Sequence, residues 1–213
     1  MATLSDTTGK QYAVRDPDVR FMLRVQQDDD PGAFAHLMET YQGRVLALLE
    51  HLLGDPELAE DLTQETFLRV YRSRKTYLPS AKFSTWLFTI VNNLALNAAR
   101  SRGRRREVAI EGRDSGPLGA RPLEQLAQVT SGQLPARQLE KAELRDMVRH
   151  AVEALGERQR MAMLLNKFEQ MSYADIGEVM GMSPMAIKSL LSRARSNLRE
   201  ILEPYMNADD RRR

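Results

Sequence analysis

The sequence predicts an all-α protein made of two small helical domains joined by a flexible linker. Three observations carry that expectation. Through two long stretches apolar residues recur at steps of three and four, the period of a helix, and strand-like alternation appears nowhere. Between them, over 107–138, the composition turns to Gly, Pro, Arg, Ser and Gln with no sustained period. A structureless run of that length exceeds what one compact domain holds as a loop, so it divides the chain. The expected layout is a tail at 1–16, a first domain at 17–106, the linker at 107–138, a second domain at 139–205 and a tail at 206–213.

In the first domain, Phe34, Leu37, Met38, Tyr41, Val45, Leu48, Leu49 and Leu52 line one helix face, and Gly54 ends that helix. Asp55-Pro56 starts the next, Asp as N-cap and Pro in the first turn, and Leu58, Leu62, Phe67, Leu68 and Tyr71 follow. A loop with Pro79 leads to a third helix, capped by Ser84, whose buried stripe is Trp86, Leu87, Ile90, Val91 and Leu94 and which runs out at Arg106. In the second domain Leu144, Val148, Val152 and Leu155 form one stripe, and Met161, Leu164, Leu165 and Phe168 another. Met163, Met180, Met182 and Met185 read, with Met161, as packing residues.

The most specific structural signal lies at Ser172 to Arg199. A helix over Tyr173 to Met180, a turn at Gly181-Met182-Ser183 and a second helix from Pro184 to about Leu202 make a helix-turn-helix. Ile176, Val179 and Met180 face inward from the first helix, and Ile187, Leu191, Ala194, Leu198 and Ile201 from the second. The outward positions of the second are Lys188, Ser189, Ser192, Arg193, Arg195 and Arg199, with four basic and no acidic residues from Pro184 to Arg199. Arg and Lys in such a helix serve guanine edges or phosphates in a major groove.

The net charge of +2 conceals a strong asymmetry in the first domain. From Asp28 to Thr66 there are ten Asp and Glu against the single Arg44, whereas Arg69 to Arg106 holds ten Lys and Arg and no acid. A basic surface beside an acidic one points to two partners, nucleic acid on the basic side. Tyr77, Phe83, Trp86 and Phe88 cluster around the basic loop, with Asn92, Asn93 and Asn97 following. Aromatics stack on unpaired bases and amides bond base edges, the chemistry of a melted duplex. By spacing, Trp86 also falls in line with Ile90 on the apolar stripe, which favours a core anchor.

Other classes of function find little support. There is no cysteine, which excludes disulfides, thiolate zinc sites and cysteine nucleophiles. His36, His51 and His150 are scattered, so neither a metal site, a cofactor nor a catalytic set is expected. No apolar run approaches the roughly eighteen residues of a membrane span, and no signal-peptide pattern opens the chain, so a cytoplasmic protein without membrane insertion is expected. An operator-binding regulator is the runner-up, but residues 17–106 show neither βα alternation nor a ligand-sized motif.

Three segments resemble the extracytoplasmic-function sigma factors of bacterial RNA polymerase. Asp61-Leu-Thr-Gln-Glu-Thr-Phe-Leu-Arg-Val-Tyr71 looks like their region 2.2, Phe83 to Asn97 like the promoter-melting segment, and Ser172 to Gly177 with Ser183 to Arg195 like region 4.2. The resemblance implies a non-catalytic initiation factor that directs core polymerase to promoters. Glu60, Asp61, Gln64 and Glu65 would dock on the β′ clamp helices, with the β flap as a further contact. Tyr77, Phe83, Ser84, Trp86, Asn93, Asn97 and Arg100 would recognise and open the −10 element. Lys188, Ser189, Ser192 and Arg193, continued by Arg195 and Arg199, would contact the −35 element. The family makes an anti-sigma factor a candidate partner. One departure from its pattern is Leu190, where an Arg is usual, which bears on −35 specificity.

Overall fold

The computed structural model describes residues 15–111 and 147–210. Its elements are α1 (Pro17–Asp28), α2 (Pro31–Leu53), α3 (Pro56–Arg72), a short 3-10 turn (Arg74–Thr76), α4 (Phe83–Glu111), α5 (147–153), α6 (Glu157–Lys167), α7 (Tyr173–Met180) and α8 (Pro184–Asp210). No strand occurs among the described residues. Residues 1–14 of the expected tail at 1–16, the linker beyond residue 111, the start of the second domain at 139–146 and the last three residues lie outside them. Two expected ends shift: α4 continues through 107–111, assigned to the linker, and α8 continues to Asp210, into the stretch assigned to the C-terminal tail.

The first three helices begin alike, with an Asp-Pro pair. The carboxylate accepts backbone N–H groups that the first turn leaves without partners, and Pro needs no donor there. Asp30 accepts from Gly32 and Ala33 at 2.9 and 3.0 Å, and Asp55 from Leu58 at 3.1 Å. The same signal at Asp16-Pro17 starts α1, a helix the apolar pattern had not singled out; its inward residues Val19, Met22 and Val25 are fully buried. Asp16 also caps α4. One carboxylate oxygen accepts from Asp18 N–H at 3.0 Å and the other from Phe83 N–H at 2.9 Å. Ser84, expected as that cap, therefore lies inside the first turn; the true cap is 67 residues away in sequence.

The first domain packs α1 to α4 around Leu37, Leu49, Phe83, Leu87 and Phe88, and the second packs α5 to α8 around Leu164, Leu165, Ile176, Ile187 and Leu191. Each such side chain contributes about 1.5–3 kcal/mol through burial. Three expected stripes are corrected. On α3 the buried residues are Ala59, Thr66, Phe67 and Val70, while Leu68 and Tyr71 are 50% and 40% exposed. On α5 it is Ala151 that is buried and Val148 that faces out. Phe168 follows the end of α6 and is exposed, its ring near that of His51 in the first domain.

The two domains touch along α4 with α7 and along α2 with α6. Buried Asn92 donates through Nδ2 to the Val179 carbonyl at 3.3 Å, and Lys82 Nζ meets the Asp175 carboxylate at 2.9 Å. Arg44 pairs with Glu169. Arg160 is the broadest link: its guanidinium donates to the carbonyls of Val152, Glu153 and Leu155 and, at 2.9 Å, to Leu52 at the end of α2. Carbonyls in the last turn of a helix have no partner within it, and the several donors of one arginine satisfy two helix ends at once.

Candidate nucleic-acid interface

The helix-turn-helix forms as its sequence requires. Ser172 and Asp175 make a reciprocal capping box at the start of α7, and Gly181 ends the helix at φ 63°, in the left-handed region that favours glycine. Gly177 is needed for a different reason. A Cβ there would stand 2.6 Å from the Met182 carbonyl oxygen, because the turn folds back onto α7 at that point. Ser183 then caps α8, its hydroxyl accepting from Ala186 N–H at 3.2 Å. Ile187, Leu191 and Ala194 are fully buried.

All six outward residues of α8, Lys188, Ser189, Ser192, Arg193, Arg195 and Arg199, are exposed. Arg195 is braced by the Tyr173 hydroxyl at 3.3 Å, a hydrogen bond that lowers the phenol's pKa below its ordinary value. Leu190 is 7% exposed and belongs to the core cluster. The residue that departs from the family pattern thus packs inward in this arrangement. Met185 is 75% exposed, which corrects its expected packing role.

The first domain presents an open groove between the end of α3 and α4, lined by Arg69, Arg72, Ser73, Thr76, Trp86, Ile90 and Asn93. Trp86 is half-buried: its ring packs near those of Tyr77 and Phe83, with centroids 4.8 and 5.9 Å away, while the residue also borders the groove. Asn93, Asn97 and Arg100 are exposed on the same helix, spaced by four and three. Tyr77 and Phe83 face the other way, 2% and 0% exposed. The Tyr77 hydroxyl is buried without a hydrogen-bond partner, and burial raises its pKa. Of the basic residues here, Arg74 and Lys75 pair with Asp29, and Arg69 with Glu65. Arg72 is exposed and pairs with no carboxylate among the described residues.

On α3, Glu60, Asp61 and Gln64 are exposed and Glu65 is partly so. The helical period puts Leu68 and Tyr71 on the face of Asp61 and Gln64, so the acidic strip carries an apolar end. That surface was missed because Leu68 and Tyr71 were read as core. Their spacing from Gln64 was the available signal. Asp175 joins the two domains: burial would raise its carboxyl, but hydrogen bonds from Ser172 and Lys82 outweigh it and hold the pKa below the ordinary range.

An exposed basic helix-turn-helix and a second helical domain with a basic, aromatic groove define a class of DNA-directed two-domain protein. Comparison with known proteins gives the family. The Sigma-70 region 2 family matches residues 37–105 and the Sigma-70 region 4 family residues 145–198. The RNA polymerase sigma-H factor of Pseudomonas aeruginosa is 30% identical over 197 residues, covering 90% of this chain and 97% of its own. The ECF RNA polymerase sigma factor SigW of Bacillus subtilis is 28% identical over 184 residues, covering 86% and 96%. In a solved complex, the sigma factor RpoE bound to the anti-sigma factor NepR from Bartonella quintana matches with a TM-score of 0.59 and 25% identity, over 80% of this chain and 96% of that one. The chain belongs to the extracytoplasmic-function RNA polymerase sigma factors, and its activity is promoter-directed initiation of transcription by RNA polymerase.

Proposed function

We propose that three exposed surfaces divide the work of initiation. The strip of Glu60, Asp61, Gln64 and Glu65, extended by Leu68 and Tyr71, docks on the β′ clamp helices of core polymerase. The groove beside Trp86 takes bases of the opened −10 element, with Asn93, Asn97 and Arg100 along its strand and Arg72 as a phosphate contact. Helix α8 enters the major groove of the −35 element through Lys188, Ser189, Ser192 and Arg193, while Arg195 and Arg199 hold phosphates. Tyr77, Phe83 and Ser84 contribute to the −10 region by shaping the wall on which Trp86 rests. The observation that carries this reading is the juxtaposition of Trp86 and Asn93 with Arg69 and Arg72 in one open groove. Stacking surface, amide and cation together are what an unpaired strand requires.

Two promoter elements centred about 25 base pairs apart lie roughly 85 Å apart along a duplex, at about 3.4 Å per pair. The docked domains therefore part when both elements are read. Residues 112–146 join them and reach roughly 120 Å at full extension. The chain itself catalyses nothing; the polymerase does. An anti-sigma factor that holds the domains together is a fitting inhibitor. Transcription in vitro from a genomic fragment library, with core polymerase and this protein, tests the proposal. Specific start sites that appear only when the protein is added support it, and none across the library overturns it.

A further inference from the structure

Met185 is 75% exposed, the most open large apolar side chain of the described residues. A singly exposed methionine asks for no explanation in itself, but the position of this one does. At about 100° per residue, Ser189 and Ser192 fall within about 40° of Met185, and Lys188 and Arg193 flank them at roughly 60–80° on either side. Ile187, Leu191 and Ala194, all fully buried, occupy the opposite side of the helix. Met185 thus stands on the midline of the outward face, in the first turn after the Ser183 cap. In a helix-turn-helix the first turns of the second helix meet base edges. A thioether gains nothing from a phosphate and reads donors or acceptors poorly. The group on a base edge that suits it is the C5-methyl of thymine, the one apolar feature of the major groove. An unbranched, polarizable side chain adjusts readily to such a contact.

We propose that Met185 reads a thymine methyl in the upstream promoter element and is a specificity-determining residue beside Ser189 and Ser192. The proposal rests on the assignment of α8 to that element. Its test uses holoenzyme assembled from the full chain and core polymerase, on a promoter the holoenzyme selects from genomic fragments. Each thymine of the upstream element, on both strands, is replaced singly by deoxyuridine, which removes the methyl and nothing else. At one position the wild type should lose affinity about fourfold, the worth of one buried carbon, while Met185→Ala binds both forms equally. An unchanged thermal midpoint for Met185→Ala separates this from a folding effect. A variant that keeps the thymine preference at that position overturns the proposal, as does a wild type with no such preference anywhere. In either case, weakening by T·A to C·G changes in the same element leaves the assignment of α8 standing. Indifference to those changes overturns the assignment and the proposal together.

Discussion

Helices α8 and α4 were both expected to present DNA-contacting side chains on one face, and they differ in how they do so. All six residues expected on α8 are exposed. Of the seven expected around α4, only Asn93, Asn97 and Arg100 are exposed; Ser84 and Trp86 are half-buried, and Tyr77 and Phe83 are core. The reason lies in what surrounds each helix. Along its recognition turns α8 is covered by α6 and α7 on one side, so its polar face is the complement of a single apolar stripe. Helix α4 is packed by α2 and α3 on one side and α7 on another, so neighbouring residues part company. Asn92 is 5% exposed and bonded to Val179, while Asn93 opens to the groove. Residue type and period alone assign faces correctly only when a helix has one covered side.

The contrast between a core aromatic and a groove aromatic gives the largest expected effect. Phe83→Ala should cost about 3–5 kcal/mol of stability by emptying a filled site, read as a fall in the denaturation midpoint. Trp86→Ala should cost clearly less stability, yet reduce promoter opening as measured by permanganate reactivity of unpaired thymines. Equal stability losses with normal opening in Trp86→Ala would remove the groove from the mechanism.

On α8 the contrast lies between reading and holding. Arg193→Ala should cost about 1–3 kcal/mol and relax preference at one base pair. Arg199→Ala, farther from the turn, should weaken all −35 variants alike and lower the salt slope by about one. The measurement is holoenzyme binding to promoters changed one base pair at a time and titrated with salt. A uniform loss for Arg193→Ala moves that residue among the phosphate contacts.

The smallest expected effect on stability belongs to α3, whose acidic strip neither packs inward nor faces the groove. Asp61→Arg should shift stability by less than about 0.5 kcal/mol and leave the circular dichroism spectrum unchanged, while weakening capture of core polymerase. Undiminished capture would deprive the strip of its role.

Much of the molecule was legible because the signals are local. The Asp-Pro start of α3, Gly54 at φ 63°, the capping box at Ser172 and the glycine turn at Gly181 each depend on a few adjacent residues. On α3 the pattern places Leu68 and Tyr71 in the core because they are apolar, yet both are exposed, and hydrophobicity by itself does not say what covers a side chain. The packing of Leu190 was likewise not deducible from a comparison of motifs, since its environment is made by other helices.

The sequence by itself determined the all-α class, the helix-turn-helix with its outward cations, and the acidic and basic halves of the first domain. Those follow from period, capping chemistry and charge, which act over a few residues. Tertiary structure alone decided that Asp16 caps α4, that Arg160 gathers carbonyls from two helix ends, and that Trp86 rather than Tyr77 borders the groove. Each of these depends on a partner distant along the chain or on a surface that packing alone creates, because hydrogen bonds and van der Waals contact are decided by position in space.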